Sequence, residues 1–207
     1  FFNKLGIALF VQGTGTPRAN PTGKGIEGFI AIATELGAQV IEIFDPWLRA
    51  MDDDAVRNLK LRLDSLGMVP VVSAGLSMMG PMESALRSAR LLDAQVIRLG
   101  LSPVLCGARA EQGTKWNELI AAIRAALVQW GPVAADEGRW LAIENHQDFA
   151  SAELVNFCEE AGRGVGITLD TGDSGISLES IDSGISLDAG DSGISLDSDS
   201  GDSGISL

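Results

Sequence analysis

The chain has 207 residues, 45% of them apolar, and a net charge of −13, which allows one domain with a sizeable core. No apolar run approaches the ~18 residues that span a bilayer. No basic patch suggests nucleic acid or a membrane surface. The opening "FFNKLGIALF" lacks the charged leader and cleavage site of a signal peptide, so a cytoplasmic protein is expected. Cys106 and Cys158 sit in apolar surroundings without metal spacing, and two free buried thiols are a better reading than a disulfide.

In chain order, "KLGIALF" (Lys4–Phe10) reads as a first strand, followed by a Gly- and Pro-rich loop. Ile26, Phe29, Ile30 and Ala33 recur at helical spacing, and Gly37 stops that helix. "AQVIEIF" is strand two. Asp52 to Asp54 cap the next helix, whose stripe is Val56, Leu59, Leu63 and Leu66. "MVPVVSAG" is strand three, a helix covers roughly Glu83–Leu92, and "AQVIRLG" is strand four. Thr114 opens the longest helix, with Trp116, Leu119, Ile120, Ile123, Leu127 and Trp130 on one packing face. Gly131-Pro132 is expected to end it. "WLAIEN" is strand five. Ser151 caps a helix with Leu154, Val155 and Cys158 inward, and "GVGITLD" is strand six. The strands are continuously apolar, as burial on both faces of a parallel sheet requires.

An internal echo supports a repeated βα unit. "LGAQVIEIF" (Leu36–Phe44) and "LDAQVIRLG" (Leu92–Gly100) share L-x-A-Q-V-I and lie 56 residues apart, or two units of 28. This alternation fits a doubly wound sheet or an eight-fold barrel. No G-x-G-x-x-G follows strand one, which counts against a dinucleotide fold. The "GTGT" and "GKG" of the first loop lack phosphate-loop spacing. In a barrel the chemistry sits at the C-terminal strand ends. Strand five ends "AIENHQD" and strand six "TLDTGD", which places Glu144 and Asp170 at neighbouring strand ends. Two carboxylates there are natural ligands for a hard divalent cation. His146 lies in the loop above and reads as a pocket-wall or hydrogen-bonding residue rather than a metal ligand. Glu42 and Arg98 either point into the barrel or pair with each other, and Arg98 is placed to hold a substrate oxygen.

"KLGIALF", "ELGAQVIEIF", "LAIENHQD" and "GITLDTGD" together resemble the sugar phosphate isomerase/epimerase family with the xylose-isomerase-like TIM barrel, over about residues 4–173. The resemblance implies a single divalent metal, Mn2+ first, with Mg2+, Co2+ or Zn2+ as alternatives. The family's ligands are a Glu on strand five, an Asp on strand six, a His on strand seven and a Glu on strand eight. The first matches Glu144 and the second Asp170. It further implies Glu144 in proton transfer next to a carbonyl, and a small sugar or sugar phosphate as partner, for which His146, Arg98 and Glu42 are the substrate-binding residues expected from their positions. Asp173 departs from the Asn or His of many relatives. An apurinic endonuclease of the same superfamily is disfavoured, because its zinc cluster uses several histidines and this chain has one.

The C-terminal stretch departs further. From Gly166 it reads GITLDTGDS, GISLESIDS, GISLDAGDS, GISLDSDSGDS, GISL. Eight Asp and one Glu, with no Lys or Arg, follow residue 163, so the preceding residues carry only −4 of the net charge. The 37 residues after Asp170 contain no His and no aromatic residue, so the strand-seven and strand-eight ligands have no counterpart. Three readings of this tail stand. The leading one is disorder, since Asp, Ser and Gly dominate. A stack of short strands and a loose Ca2+ site at "DSDSGD" are the others.

The expected architecture is therefore an incomplete parallel (β/α) TIM-type barrel of six recognisable strands over residues 1–173, followed by a repetitive acidic tail over 174–207. The expected function is a divalent-metal-dependent sugar isomerase or epimerase, impaired by its missing ligands; a neighbouring copy in a homo-oligomer is one source that could supply them, although nothing in the sequence shows this. The alternative is a non-catalytic truncated barrel that oligomerises or binds a partner.

Overall fold

The computed structural model describes residues 6–7, 25–76, 81–104, 108–146, 148–169, 176–177 and 186–187. Their elements are β1 (Gly6–Ile7), α1 (Gly25–Glu35), β2 (Val40–Phe44), α2 (Asp45–Arg49), α3 (Asp53–Ser65), β3 (Val69–Gly75), α4 (Met82–Leu92), β4 (Val96–Gly100), α5 (Thr114–Asp136), β5 (Trp140–Glu144), α6 (Ser151–Ala161) and β6 (Val165–Thr168). Two short strands, β7 (Ile176–Ser177) and β8 (Ser186–Leu187), pair antiparallel in a separate sheet. The rest of the tail, and the boundary expected at residue 173, lie outside the described residues. Among the described residues no helix is long and apolar enough to cross a membrane.

The six-stranded sheet runs β1-β2-β3-β4-β5-β6, with every neighbouring pair parallel. Sequential order with helical crossovers is the order of a TIM barrel, and a doubly wound sheet would place its first strand centrally. Here β1 and β6 are the edges, so the sheet is an open, incomplete barrel.

The L-x-A-Q-V-I echo corresponds to one recurring joint. Helices α1 and α4 both end in a left-handed residue, Gly37 (φ 69°) and Asp93 (φ 53°). The next residues, Ala38 and Ala94, donate back to the carbonyls of Ala33 and Ala89, each at 2.9 Å. This helix-closing geometry turns the chain into the following strand. Gly takes it without strain, whereas Asp93 is the only described non-glycine residue with positive φ.

One face of β2, β3, β4 and β5 is covered by helices. Ile41, Ile43, Val72, Ile97, Leu99, Leu141 and Ile143 are all buried there, beneath Phe29, Leu63, Leu92, Leu127 and Phe157. Each fully buried aliphatic side chain stabilises by roughly 1.5–3 kcal/mol. The other face meets the expectation of burial on both sides only in part: consecutive residues are buried in β3 (Val72–Gly75) and β5 (Leu141–Ile143), but not in β2 and β4. Strands β2 and β4 alternate between half-buried and buried residues, because the open sheet does not wrap around its own inner face. Near the N-terminal strand ends, that face lines an apolar trough of about 800 Å³ that includes Val40, Val71, Val96, Trp140 and Ala142.

Four local expectations need correction. Helix α5 runs through Gly131-Pro132 to Asp136. Proline removes only one intrahelical donor, and the continuation buries Ala134. Helix α6 starts at Ser151 rather than being capped by it. The preceding N–H, that of Ala150, donates to Glu153 Oε2 at 2.9 Å, half of a capping box. Val155 is 45% exposed and Phe157 is buried in its place. Leu66 lies at the exposed end of its stripe, which Val56, Leu59 and Leu63 carry. Asp52 caps α3 as expected, accepting from the Ala55 N–H at 2.7 Å. Cys158 is a free, half-buried thiol, and burial pushes its pKa up.

Candidate functional site

Three of the five expected site residues meet on the inner face. Glu42 is the third residue of β2, Arg98 the third of β4, and Glu144 the last of β5. Alternation turns them all away from the helices. Arg98 Nε donates to Glu42 Oε1 at 2.7 Å, and Nη2 to Ser73 Oγ of β3 at 3.0 Å. Its Nη1 makes a short ion pair with Glu144 Oε2. One guanidinium thus ties four consecutive strands together. The side chains of Arg98, Glu42 and Glu144 are only 17%, 20% and 12% exposed. Glu42 and Arg98 therefore do both things weighed from the sequence: they point inward and they pair. A guanidinium has five N–H donors, and three of Arg98's are used among the described residues.

Asp170 lies outside the described residues, so its meeting with Glu144 does too. The described donors do not by themselves suit a divalent cation. Glu144 is one carboxylate already neutralised by a guanidinium, and no group of three or more His, Cys, Asp or Glu gathers among the described residues. A hard divalent ion takes about six oxygen ligands.

His146 sits in the loop after β5 with its side chain 36% exposed. The same loop carries a residue that sequence reading passed over, Asp148, whose side chain is 1% exposed. Ser102, just after β4, donates to Asp148 Oδ2 at 2.6 Å and also accepts from the Val104 N–H at 3.1 Å. Desolvation pushes the Asp148 carboxyl pKa up, while the Ser102 hydroxyl and the charge of His146 pull it back. Beneath the loop, Phe149 packs at 5.0 Å from the Trp116 ring and edge-on at 5.2 Å to Phe157. Arg109 lies 4.6 Å over Trp116 and grips both oxygens of Glu153 at 2.6 Å. Ser73, Ser102 and Asp148 carried one available signal: each lies at or just beyond the C-terminal end of a strand, where a barrel places its chemistry.

Glu153 both pairs with Arg109 and caps α6. The Arg109 hydrogen bonds, ahead of the opposing effect of burial, hold its carboxyl below the usual range. A lowered folded pKa means stability that is present above the ordinary Glu value and lost as pH falls through the folded one. Glu153→Ala is expected to cost about 1 kcal/mol at neutral pH. Urea titrations at pH 7 and about pH 3 should show the gap from the parent shrinking at the acid value. An equal gap at both would exclude the ionic contribution.

No family model matches the chain, and no curated protein matches it. Solved structures do. A D-psicose 3-epimerase from Clostridium cellulolyticum H10, solved with D-tagatose, superposes with a TM-score of 0.59 at 21% identity, over 85% of this chain and 66% of that one. A D-tagatose 3-epimerase-like protein gives 0.58 at 18%, over 73% and 63%. A xylose isomerase domain protein from Planctomyces limnophilus gives 0.52 at 16%, over 71% and 59%. The shared fold is the TIM barrel, present here as an incomplete one. The chain spans about six-tenths of the length of the solved structures it matches.

Proposed function

We propose that the inner face of this sheet is part of a sugar or sugar-phosphate isomerase/epimerase site, where a proton moves on and off the carbon next to a carbonyl. The observation that carries the reading is Glu144, a little-exposed carboxylate at the C-terminal end of β5 held by Arg98. It occurs in a fold whose solved likenesses include a D-psicose 3-epimerase with D-tagatose. In this reading Glu144 takes and returns the proton. The two remaining N–H donors of Arg98 hold the substrate oxygen on which negative charge develops. Glu42 and Ser73 keep the guanidinium in place, and His146 contacts a substrate hydroxyl. The resemblance adds a divalent metal, Mn2+ first, on Glu144 and Asp170. The described donors fall short of such a site, and the activity proposed for Glu144 and Arg98 without it is slow.

The test is deuterium uptake from D2O into D-fructose, D-tagatose and D-psicose, followed by NMR with and without Mn2+. Slow uptake that disappears in Glu144→Gln is the expected result. No uptake from any of the three sugars by the folded chain would remove the catalytic reading.

A further inference from the structure

The buried Asp148 is more costly than packing requires. Its Oδ2 is satisfied by Ser102, and the backbone N–H groups of Asp148 and Phe149 lie close enough to lower the carboxyl pKa, but neither closes a hydrogen bond to the buried Oδ1, which has no partner among the described residues. A buried acceptor without a donor is destabilising, so such an oxygen calls for a group to fill it. His146 Nδ1 lies 3.9 Å away, facing that oxygen. About 1 Å of movement by the half-exposed imidazole would make an ordinary N–H···O bond.

We infer that Asp148 is a positioning residue that holds the His146 imidazole with its proton on Nδ1, which makes Nε2 the acceptor nitrogen of the ring. Ser102 occupies the other carboxylate oxygen and so aims Oδ1 at the ring. The groups around the pair are consistent with this. The other charges packed on this loop, Arg109 and Glu153, are engaged with each other, and Trp116, Phe149 and Phe157 form an apolar floor. An imidazole held this way accepts a hydrogen bond from a hydroxyl, or takes its proton, through Nε2. That this hydroxyl belongs to a sugar rests on the function proposed above. The tautomer does not, because it is a property of the chain without ligand.

His146 is the only histidine, so one pair of ring nitrogens reports on it without assignment. Long-range 1H–15N correlation on 15N-histidine-labelled full chain, at about pH 9 where an ordinary imidazole is neutral, reads which nitrogen carries the proton. The expected result is the Nδ1–H form as the major species. In Asp148→Asn, Ser102 keeps the amide oxygen and the amide N–H turns toward Nδ1. The tautomer ratio should then swing toward Nε2–H by about tenfold or more, as it does when an orienting aspartate is replaced in hydrolase triads. A purely structural Asp148 would leave the ratio unchanged. A parent chain in the Nε2–H form would overturn the inference without the variant, as would an unaltered ratio in a folded Asp148→Asn. Neither result bears on deuterium uptake by Glu144, so the two readings fail separately.

Discussion

Arg98→Met is expected to destabilise the chain by about 3 kcal/mol, the value typical of breaking a largely buried ion pair by removing one partner. Loss of the guanidinium takes from Glu42 and Glu144 the charge that pairs them across the inner face, and leaves Ser73 without its Arg98 donor. Both carboxylates are at most one-fifth exposed, so water restores only part of what Arg98 supplied. Lysine is a poor replacement, since an ammonium cannot present donors toward three strands in one plane. With a urea m-value of about 2 kcal/mol/M, the midpoint should fall by roughly 1–2 M. The triple variant Glu42→Gln, Arg98→Met, Glu144→Gln should recover most of the loss, because it removes the two carboxylate charges along with the guanidinium. A midpoint shift below about 0.3 M for Arg98→Met would class the network with exposed ion pairs that contribute little.

Gly164→Ala should be at least as damaging, by about 3 kcal/mol or more, for a steric reason. Gly164 has φ +83°, and a Cβ there would overlap the Gly131 carbonyl of α5. Gly131 is equally confined: its Cβ would stand 2.8 Å from Val165 Cγ2 and 3.0 Å from the Arg163 carbonyl. Helix α5 and the turn into β6 therefore touch backbone to backbone, and both contacts need hydrogen in place of a side chain. Gly131→Ala should cost less, because an alanine inside a helix regains about 1 kcal/mol of propensity. Chemical denaturation of the two variants gives the ranking. A loss below about 1 kcal/mol for Gly164→Ala would mean that α5 is not seated on this turn.

Much of the architecture was legible because it repeats. The phrase L-x-A-Q-V-I writes the same helix ending and strand entry twice, and the structure repeats it bond for bond at Gly37–Ala38 and Asp93–Ala94. The same echo placed Glu42 and Arg98 at equivalent positions of β2 and β4, 56 residues apart. In a barrel, alternate strands contribute to one inner layer, so their pairing follows from the repeat. Glu144 was found by its place at a strand end.

Other features depended on distances that no local pattern encodes. Gly131-Pro132 read as a helix stop, yet α5 continues because its glycine fits against a turn some 30 residues later in the chain. Val155 and Phe157 exchanged roles because which side of α6 is buried depends on Trp116 and Phe149 beneath it. Asp148 stood inside the quoted "ENHQD" but gains its meaning only from Ser102, 46 residues earlier, which turns one carboxylate oxygen toward His146. The sequence by itself determined the βα alternation and the strand ends on which carboxylates stand, since both arise from periodicity along the backbone. Only the tertiary structure decided that Arg98 binds Glu144, Glu42 and Ser73 at once. Parallel strand register sets those four side chains within hydrogen-bond reach, and register is a relation between strands rather than a property of any one of them.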